Sequence, residues 1–477
     1  MNEVKVRFAP SPTGRLHLGN ARTALFNYLF ARKNNGVFIL RIEDTDKSRS
    51  KKEYEDDIVN NLLWLGLNFN EGPIRQSERI SLYQTAVEKL IEEKKAYRCF
   101  CSKEELDLKR QEQLVRGEPP RYSGLCRSLS VEQVNENVSK GKPYVIRLAV
   151  PDQIIVIKDL ILGESKWEAK LIGDFIIAKS ETEPLYHLAT PIDDHYQGIT
   201  HVIRGSDHLA NAAKQILVYK MMGWSLPEFA HLPLILGLEG KLSKRQGAKS
   251  LSEYRADGFL AEALLNFMVL LGWHPKTDDE LMSLKTMINE FNLAAIQKKG
   301  AIFNQKKLIW FNRYYLRKKE PREILELIDS TIEYFKIEAD GYRAKNNLFF
   351  SDNEMLKIIE LGKERTDTLN QIFANVEFFF IHFDYPADLL IWQQYSSLEI
   401  KKSLEQTRVA LFDLDDWRSD KIKEKLDRLS DDKGYVFWPL RVALTGKPAS
   451  PPPFEIAEVF GRAKTIELID RALAKLK

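Results

Sequence analysis

Two short segments carry residue types suited to chemistry on a polyphosphate. Ala9-Pro10-Ser11-Pro12-Thr13-Gly14-Arg15-Leu16-His17-Leu18-Gly19-Asn20 runs from a proline- and glycine-shaped loop into a helical pattern. A helix N-terminus presents unpaired N–H groups that favour phosphate. A glycine on the first turn lets a flat base approach the backbone. The segment is not a P-loop, because it lacks Gly-Lys-Ser/Thr. The second segment, Lys241-Leu242-Ser243-Lys244-Arg245, is flanked by Gly237, Gly240 and Gly247. Cations on such a loop can swing over a polyphosphate and neutralise charge that builds during transfer. Taken singly, a capped helix with a partly exposed histidine also explains the first segment, and a solvated basic loop the second.

A third group is Cys99, Cys101 and Cys126, the only cysteines in the chain. Soft ligands gathered in one short stretch suit tetrahedral zinc, although Cys-x-Cys is tighter than the usual spacing and a fourth ligand is required. Reduced, partly buried thiols without a metal are the alternative. So few cysteines in so long a chain argue against a disulfide framework.

These residues need elements to hold them. Val4, Val6 and Phe8 alternate with Lys5 and Arg7, the period of a strand. Leu18, Ala21, Leu25, Tyr28 and Leu29 recur at helical spacing up to Arg32, and Asn34-Asn35-Gly36 stops that helix. Val37-Phe38-Ile39-Leu40 reads as a buried parallel strand, and it ends in Arg41-Ile42-Glu43-Asp44-Thr45-Asp46. Charged residues at the carboxyl end of such a strand mark a ligand crevice in an open α/β sheet. Residues 76–190 read as an insertion that contains the cysteines and the β-rich runs Tyr144–Leu148 and Ile154–Ile157. Sheet logic resumes at His201-Val202-Ile203-Arg204, followed by a helix over Leu209–Met222 with Asp207 as N-cap and Gly223 beyond its end. After residue 250 the patterns are mainly helical: Glu262–Leu271, Pro321–Phe335, Asn353–Phe380, and a final helix after Pro451-Pro452-Pro453.

The chain has 477 residues, 44% hydrophobic and 29% charged, with 8 Trp, 17 Tyr and 25 Phe. That is globular composition with ample core material, which excludes disorder as the dominant state. No apolar run is long enough to span a bilayer, and the N-terminus has no secretory h-region, so a cytoplasmic location is expected. The 71 basic and 68 acidic residues leave a net charge of +3, which neither demands nor excludes nucleic acid.

His17-Leu18-Gly19-Asn20 and Lys241-Leu242-Ser243-Lys244-Arg245, with an insertion between them, resemble the two signatures of class I aminoacyl-tRNA synthetases. Arg7–Gly14, Arg41–Asp46, Asp193-Asp194-His195, Gly198–Gly205 and Phe229–Pro233 narrow the resemblance to the bacterial-type glutamyl-tRNA synthetase family. It is close over residues 1–315 and rests on length and helical character beyond.

The resemblance implies an α/β fold: a Rossmann-type catalytic domain (1–75 and 191–250) with an inserted α+β acceptor-binding domain (76–190). A helical stem-contact domain (251–315) and an all-helical anticodon-binding part (316–477) would follow. It implies ATP with Mg²⁺, L-glutamate and tRNA for glutamate as substrates, in a monomer without membrane contact. The catalytic set would be His17, Gly19, Lys241 and Lys244. ATP would meet Pro12, Gly14, His17, Gly19, Asn20, Ser243 and Lys244. Glutamate would meet Arg7, Ala9, Ser11, Glu43, Tyr186 and Arg204, with Arg7 on its side-chain carboxylate and Glu43 on its ammonium. A salt bridge between Arg7 and Glu43 is the structural alternative. The metal set would be Cys99, Cys101, Tyr122 and Cys126, with Tyr122 as in a related enzyme that glutamylates queuosine in tRNA.

Three positions depart from the family pattern: Thr190 for Asn, Ser206 for Glu, and Ser128 where many members have a zinc-binding His. The implied reaction is glutamate–tRNA ligation, with activation that depends on tRNA. The alternatives are a synthetase that also serves tRNA for glutamine or is directed to it, and a catalytically weak RNA-binding paralogue. The helical C-terminal third disfavours the shorter queuosine enzyme and the glutaminyl enzymes with their β-barrel anticodon part.

Overall fold

The computed structural model describes residues 3–237, 240–241, 249–277, 279–328, 335–338 and 341–476. It divides into two compact units. One comprises the chain up to Ala256 together with Ala261–Gln305; the other comprises Asp257–Leu260 and the chain from Lys306.

The first unit is built on a parallel sheet. Strand β1 (Lys5–Phe8) pairs with β2 (Val37–Ile42) from Lys5↔Val37 to Phe8↔Leu40, and β2 pairs with β3 (Glu71–Arg75). On the other side of β1, Thr200 N–H donates to the Lys5 carbonyl at 2.9 Å, which sets the strand His201–Gly205 beside it. That strand pairs in parallel with Glu228–Leu232, from His201↔Glu228 to Gly205↔Leu232. Helix α1 (Leu18–Lys33) crosses from β1 to β2, and the helix Leu209–Met222 crosses from one outer strand to the next. The strand order therefore reverses beside β1, and a ligand crevice is expected at the carboxyl ends there. Apolar residues on every strand and helix close the core: Val6, Phe8, Phe38, Leu40, Val202, Ile203, Leu25 and Leu217 are all buried.

The stretch 76–190 holds a separate four-stranded sheet, Ala96–Cys99, Val145–Leu148, Ile176–Ser180 and Glu183–Pro184, paired in that order. One part of this stretch behaves differently. The hairpin Ile154–Asp159 and Gly163–Glu168 joins the parallel sheet, where Asp159 registers with Phe229. The helix Leu209–Met222 has Gly223 in the left-handed region as its stop, but Asp207 is not its cap. Asp207 lies in a preceding 3-10 turn, and His208 occupies the cap position without a capping bond from its side chain to the helix backbone.

The second unit is mainly helical, with helices such as Asp352–Lys363, Ser397–Phe412, Lys433–Thr445 and Pro453–Lys475, but not all-helical as expected: Phe335–Glu338, Gly341–Ala344 and Phe349–Phe350 form a small antiparallel sheet. Two expected helices are shorter than their sequence patterns. The pattern over Pro321–Phe335 yields helix only to Leu327: Ile328 is already extended, and Phe335–Glu338 is a strand paired with Gly341–Ala344. The pattern over Asn353–Phe380 breaks after Lys363, where Thr366 Oγ1 donates to the Gly362 carbonyl and Thr368 precedes a new helix, Leu369–Asn375. Apolar spacing continued through both breaks; at the second, the Thr366 side chain competes for the helical backbone.

Candidate active site and cysteine cluster

The loop after β1 is held against the end of β2. Glu43 N–H donates to the Pro10 carbonyl at 2.9 Å, and Lys51 N–H donates to the Pro12 carbonyl at 3.0 Å. Pro12 is buried, whereas Ser11, Gly14, His17 and Asn20 are exposed and Ala9 and Gly19 are partly exposed. His17 caps α1, its Nδ1 accepting from Asn20 N–H at 3.4 Å. A Cβ on Gly19 would sit 3.3 Å from that imidazole, so glycine leaves the ring its place. No acidic residue lies in the first turn of α1, so the positive end of the helix is not neutralised there.

Lys241 ends a short strand, Gly240–Lys241, paired with Ile235–Gly237; Ser243 and Lys244 lie outside the described residues. The chain resumes beside α1: Ser250 bridges to His17, and Leu251 N–H donates to the Leu16 carbonyl at 2.8 Å. The chain leaving the Lys-Leu-Ser-Lys-Arg segment is thus tied to the helix start expected to hold ATP.

The crevice at the strand ends holds buried charge. Arg7 of β1 reaches Asp194 with Nε at 2.9 Å and Nη2 at 3.3 Å, not Glu43. Arg41 of β2 meets Asp194 at 2.8 Å and Glu43 at 3.3 Å through Nη2, and donates to Gln197 at 2.8 Å. Thr190 donates its hydroxyl to Glu43 at 3.0 Å. Asp193, on the same helix (Tyr186–Tyr196), is fully buried and accepts from Gln76, Arg79 and Tyr83 at 2.7–2.8 Å.

The two crevice carboxylates are shifted in opposite directions. Burial pushes Glu43 above its ordinary value against the pull of Arg41, Arg7 and Thr190. Asp194 is as deeply buried, but Arg7 and Arg41 outweigh its desolvation and hold it below its ordinary value. Burial alone would lower Arg41, yet Asp194, Glu43 and Asp193 raise it.

Arg204 differs from the other two arginines. It is 6% exposed, and its partners among the described residues are neutral: His231 Nε2 at 3.1 Å, Gln215 at 2.7 Å, Tyr186 at 3.3 Å and the His208 carbonyl at 3.4 Å. Desolvation holds its pKa below the usual guanidinium value. Four guanidiniums, Arg7, Arg41, Arg79 and Arg204, therefore face three carboxylates, Glu43, Asp193 and Asp194, and Arg204 is the one without a carboxylate within ion-pair distance among the described residues. Structure thus brings together Arg7, Glu43, Tyr186 and Arg204 from the expected set. Sequence reasoning assigned no role to Arg41, Asp194, Gln215 or His231. A signal was present for Arg41, since a charge inside the buried run Val37–Ile42 demands partners.

The cysteine cluster lies apart from this crevice. Cys99 ends a strand opposite Val145, and Cys126 sits in a 3-10 turn after Gly124. The three Sγ atoms lie within 4.8 Å of one another. Tyr122 Oη is 3.3 Å from Cys99 Sγ and 3.4 Å from Cys101 Sγ, and it accepts the Cys126 N–H at 2.9 Å. The Arg147 guanidinium stacks 4.0 Å from the centre of the Tyr122 ring. Cys99 is drawn down by hydrogen bonding with Cys126, and Cys126 is pushed up by the same contact and by burial. The Ser128 hydroxyl donates to the Leu125 carbonyl and does not join the group. Three soft donors and a phenol oxygen converging at one buried point fit a four-coordinate zinc ion.

Residues 3–310 match the family described as tRNA synthetases class I (E and Q), catalytic domain, and residues 326–473 match an anticodon binding domain. A glutamate–tRNA ligase of Carboxydothermus hydrogenoformans is 43% identical over 478 residues, covering 97% of this chain and 98% of that one. One from Aquifex aeolicus is 42% identical, covering 94% of each. A glutamate tRNA ligase crystal structure from Elizabethkingia meningosepticum, in complex with its amino acid, superposes with a TM-score of 0.87 at 36% identity over 100% of both chains. With the signature helix, the charged crevice and the helical second unit in place, the chain belongs to the glutamate–tRNA ligase family of class I tRNA synthetases.

Proposed function

We propose that this protein activates L-glutamate with ATP and transfers the glutamyl group to the 3′ end of tRNA for glutamate. The observation that carries this reading is the crevice charge. Glutamate has two carboxylates and one ammonium, a net charge of −1, and it complements a site with one excess guanidinium. Glutamine is neutral overall and does not.

The side-chain carboxylate takes the spare N–H capacity of Arg204 Nη2 and Arg7 Nη1, beside Tyr186. The ammonium lies against Glu43, and its charge would favour the ionised form of a carboxyl that burial pushes up. The free α-carboxylate attacks the α-phosphorus of ATP in line, and pyrophosphate leaves. A hydroxyl of the terminal tRNA ribose then takes the acyl group. No protein nucleophile is needed; the protein positions the reactants and stabilises charge. His17, Gly19 and Asn20 with Pro12 and Gly14 receive ATP, and Lys241, Ser243 and Lys244 act on the phosphates, with Mg²⁺ carried by the nucleotide. Cys99, Cys101, Tyr122 and Cys126 hold a structural zinc ion in residues 76–190, which grip the acceptor end of the tRNA. Residues 251–315 contact its stem, and the helical part from 316 reads its anticodon. The enzyme acts as a monomer in the cytoplasm.

The test is charging of separate transcripts for the glutamate and glutamine tRNAs with labelled glutamate, ATP and Mg²⁺. Acylation of the first is expected. Acylation of neither transcript contradicts the reading, and acylation of both broadens it to a synthetase serving two tRNAs.

A further inference from the structure

The charge that selects the amino acid is itself held by a chain of buried groups. Asp159, at the end of the hairpin strand Ile154–Asp159, accepts the backbone N–H groups of Ile161 and Leu162 on Oδ1 at 2.9 and 2.8 Å. Its Oδ2 accepts the His231 backbone N–H at 3.0 Å and lies 2.6 Å from His231 Nδ1. His231, in the strand Glu228–Leu232, is 0% exposed, and its Nε2 lies 3.1 Å from Arg204 Nε. Arginine Nε–H can only donate, so His231 Nε2 must be the acceptor and Nδ1 must carry the proton toward Asp159. The carboxylate thus fixes the tautomer, and the tautomer fixes the guanidinium. With Nε tied to His231 and Nη1 to Gln215 and Tyr186, the plane of Arg204 is set. Its Nη2 end, with one long bond of 3.4 Å to the His208 carbonyl, retains N–H capacity for a ligand.

We propose that Asp159 and His231 are positioning residues for Arg204, and through it set the affinity and charge selectivity of the amino-acid site. This rests on the reading of the protein as a glutamate–tRNA ligase. Neither residue touches the crevice carboxylates Glu43 or Asp194 within hydrogen-bond distance, so the pair acts on Arg204 alone. Half of the pair comes from the stretch 76–190, through a hairpin that has joined the catalytic sheet.

The geometry predicts how the device fails. In Asp159→Asn the amide oxygen must stay on the Ile161 and Leu162 N–H groups, which turns the NH₂ toward His231 Nδ1. Nδ1 then accepts, the proton moves to Nε2, and two donors confront each other at Arg204. His231→Leu removes the acceptor. His231→Gln can return a carbonyl oxygen near the lost Nε2 position.

The experiment measures tRNA charging with glutamate and with glutamine by the full chain and these three variants, alongside melting temperature. Asp159→Asn and His231→Leu should raise the KM for glutamate roughly 10- to 100-fold, with kcat and the KM for ATP within about threefold of the unmodified protein. Glutamine use should change far less, and His231→Gln should recover most of the glutamate KM. If Asp159→Asn melts normally but keeps an unchanged glutamate KM, or loses activity with both amino acids equally, the proposal is wrong. If His231→Leu does not fold, the near-isosteric Asp159→Asn decides alone. Failure of the unmodified protein to charge glutamate would instead overturn the ligase reading itself.

Discussion

In the crevice, Arg7, Arg41, Glu43 and Asp194 neutralise one another through ion pairs of 2.8–3.3 Å. In the cysteine cluster, Cys99, Cys101, Cys126 and Tyr122 have one another and a backbone N–H, with one guanidinium stacked on the phenol ring. Both regions bury groups that cost free energy to desolvate. The crevice meets that cost from within the chain and leaves one guanidinium over, the charge proposed above to meet glutamate. The cluster has one guanidinium, Arg147, beside three thiols and a phenol, and the zinc ion proposed above would satisfy those donors together. A site that works by surplus charge should be tunable by single substitutions; a site that needs every donor for one ion should be all or none.

The largest effect should come from breaking the internal compensation of the crevice. Asp194→Asn removes the carboxylate that both Arg7 and Arg41 contact, and removal of one partner from a buried ion pair costs about 3–5 kcal/mol. Melting of the first unit should fall by roughly 5–10 °C at pH 7, read by calorimetry. The sign follows from linkage: Asp194, held low, gives stability that is present above the ordinary carboxylate range and lost as pH falls through its folded value. Next is Lys244→Ala, which should slow glutamyl-adenylate formation by about 10²–10³, or roughly 2–4 kcal/mol, with ATP binding little changed. Single-turnover kinetics check this, and normal turnover would remove the loop from the mechanism.

Smaller in activity but categorical in metal content is Cys126→Ser. The purified protein should carry one equivalent of zinc and the variant none, with charging reduced less than about tenfold. Elemental analysis finding no zinc in the unmodified protein would remove the ion from the account. The smallest effect on stability should be that of Glu43→Gln. A carboxylate held high contributes stability that is full at low pH and lost as pH rises through its folded value. At pH 7 its removal should therefore change melting by no more than about 2 °C, while glutamate use falls by about 10². A loss of stability as large as that of Asp194→Asn would show that the two carboxylates are not held differently.

Much of this site was legible because its residues sit where local pattern is strong. Strand alternation around Arg7, the capped helix after His17 and the charged end of the Val37–Ile42 run each follow from nearest-neighbour periodicity. What could not be read were pairings across long separations. Arg7 with Asp194, Arg204 with His231, and Asp159 with His231 join elements that only the sheet brings together. The Arg7–Glu43 salt bridge, the structural alternative offered by the sequence, does not form, because the helix Tyr186–Tyr196 brings Asp194 to 2.9 Å from Arg7. Similarly, nothing in the run Ile154–Ile157 distinguishes a strand of the inserted sheet from one that joins the parallel sheet. The break after Lys363 was hidden because apolar spacing alone does not register where a Thr side chain competes for the backbone.

The central claim is that excess charge on Arg204 selects glutamate. The most direct measurement is kcat/KM for glutamate and for glutamine, with tRNA present, in the unmodified protein and in Arg204→Gln and Arg7→Gln. Arg204→Gln should lower the value for glutamate by about 10³ while glutamine changes by less than about tenfold, so that the preference collapses. Arg7→Gln, which removes a guanidinium already paired with Asp194, should narrow the preference less. An equal fall for both amino acids in Arg204→Gln, with the preference intact, would contradict the account.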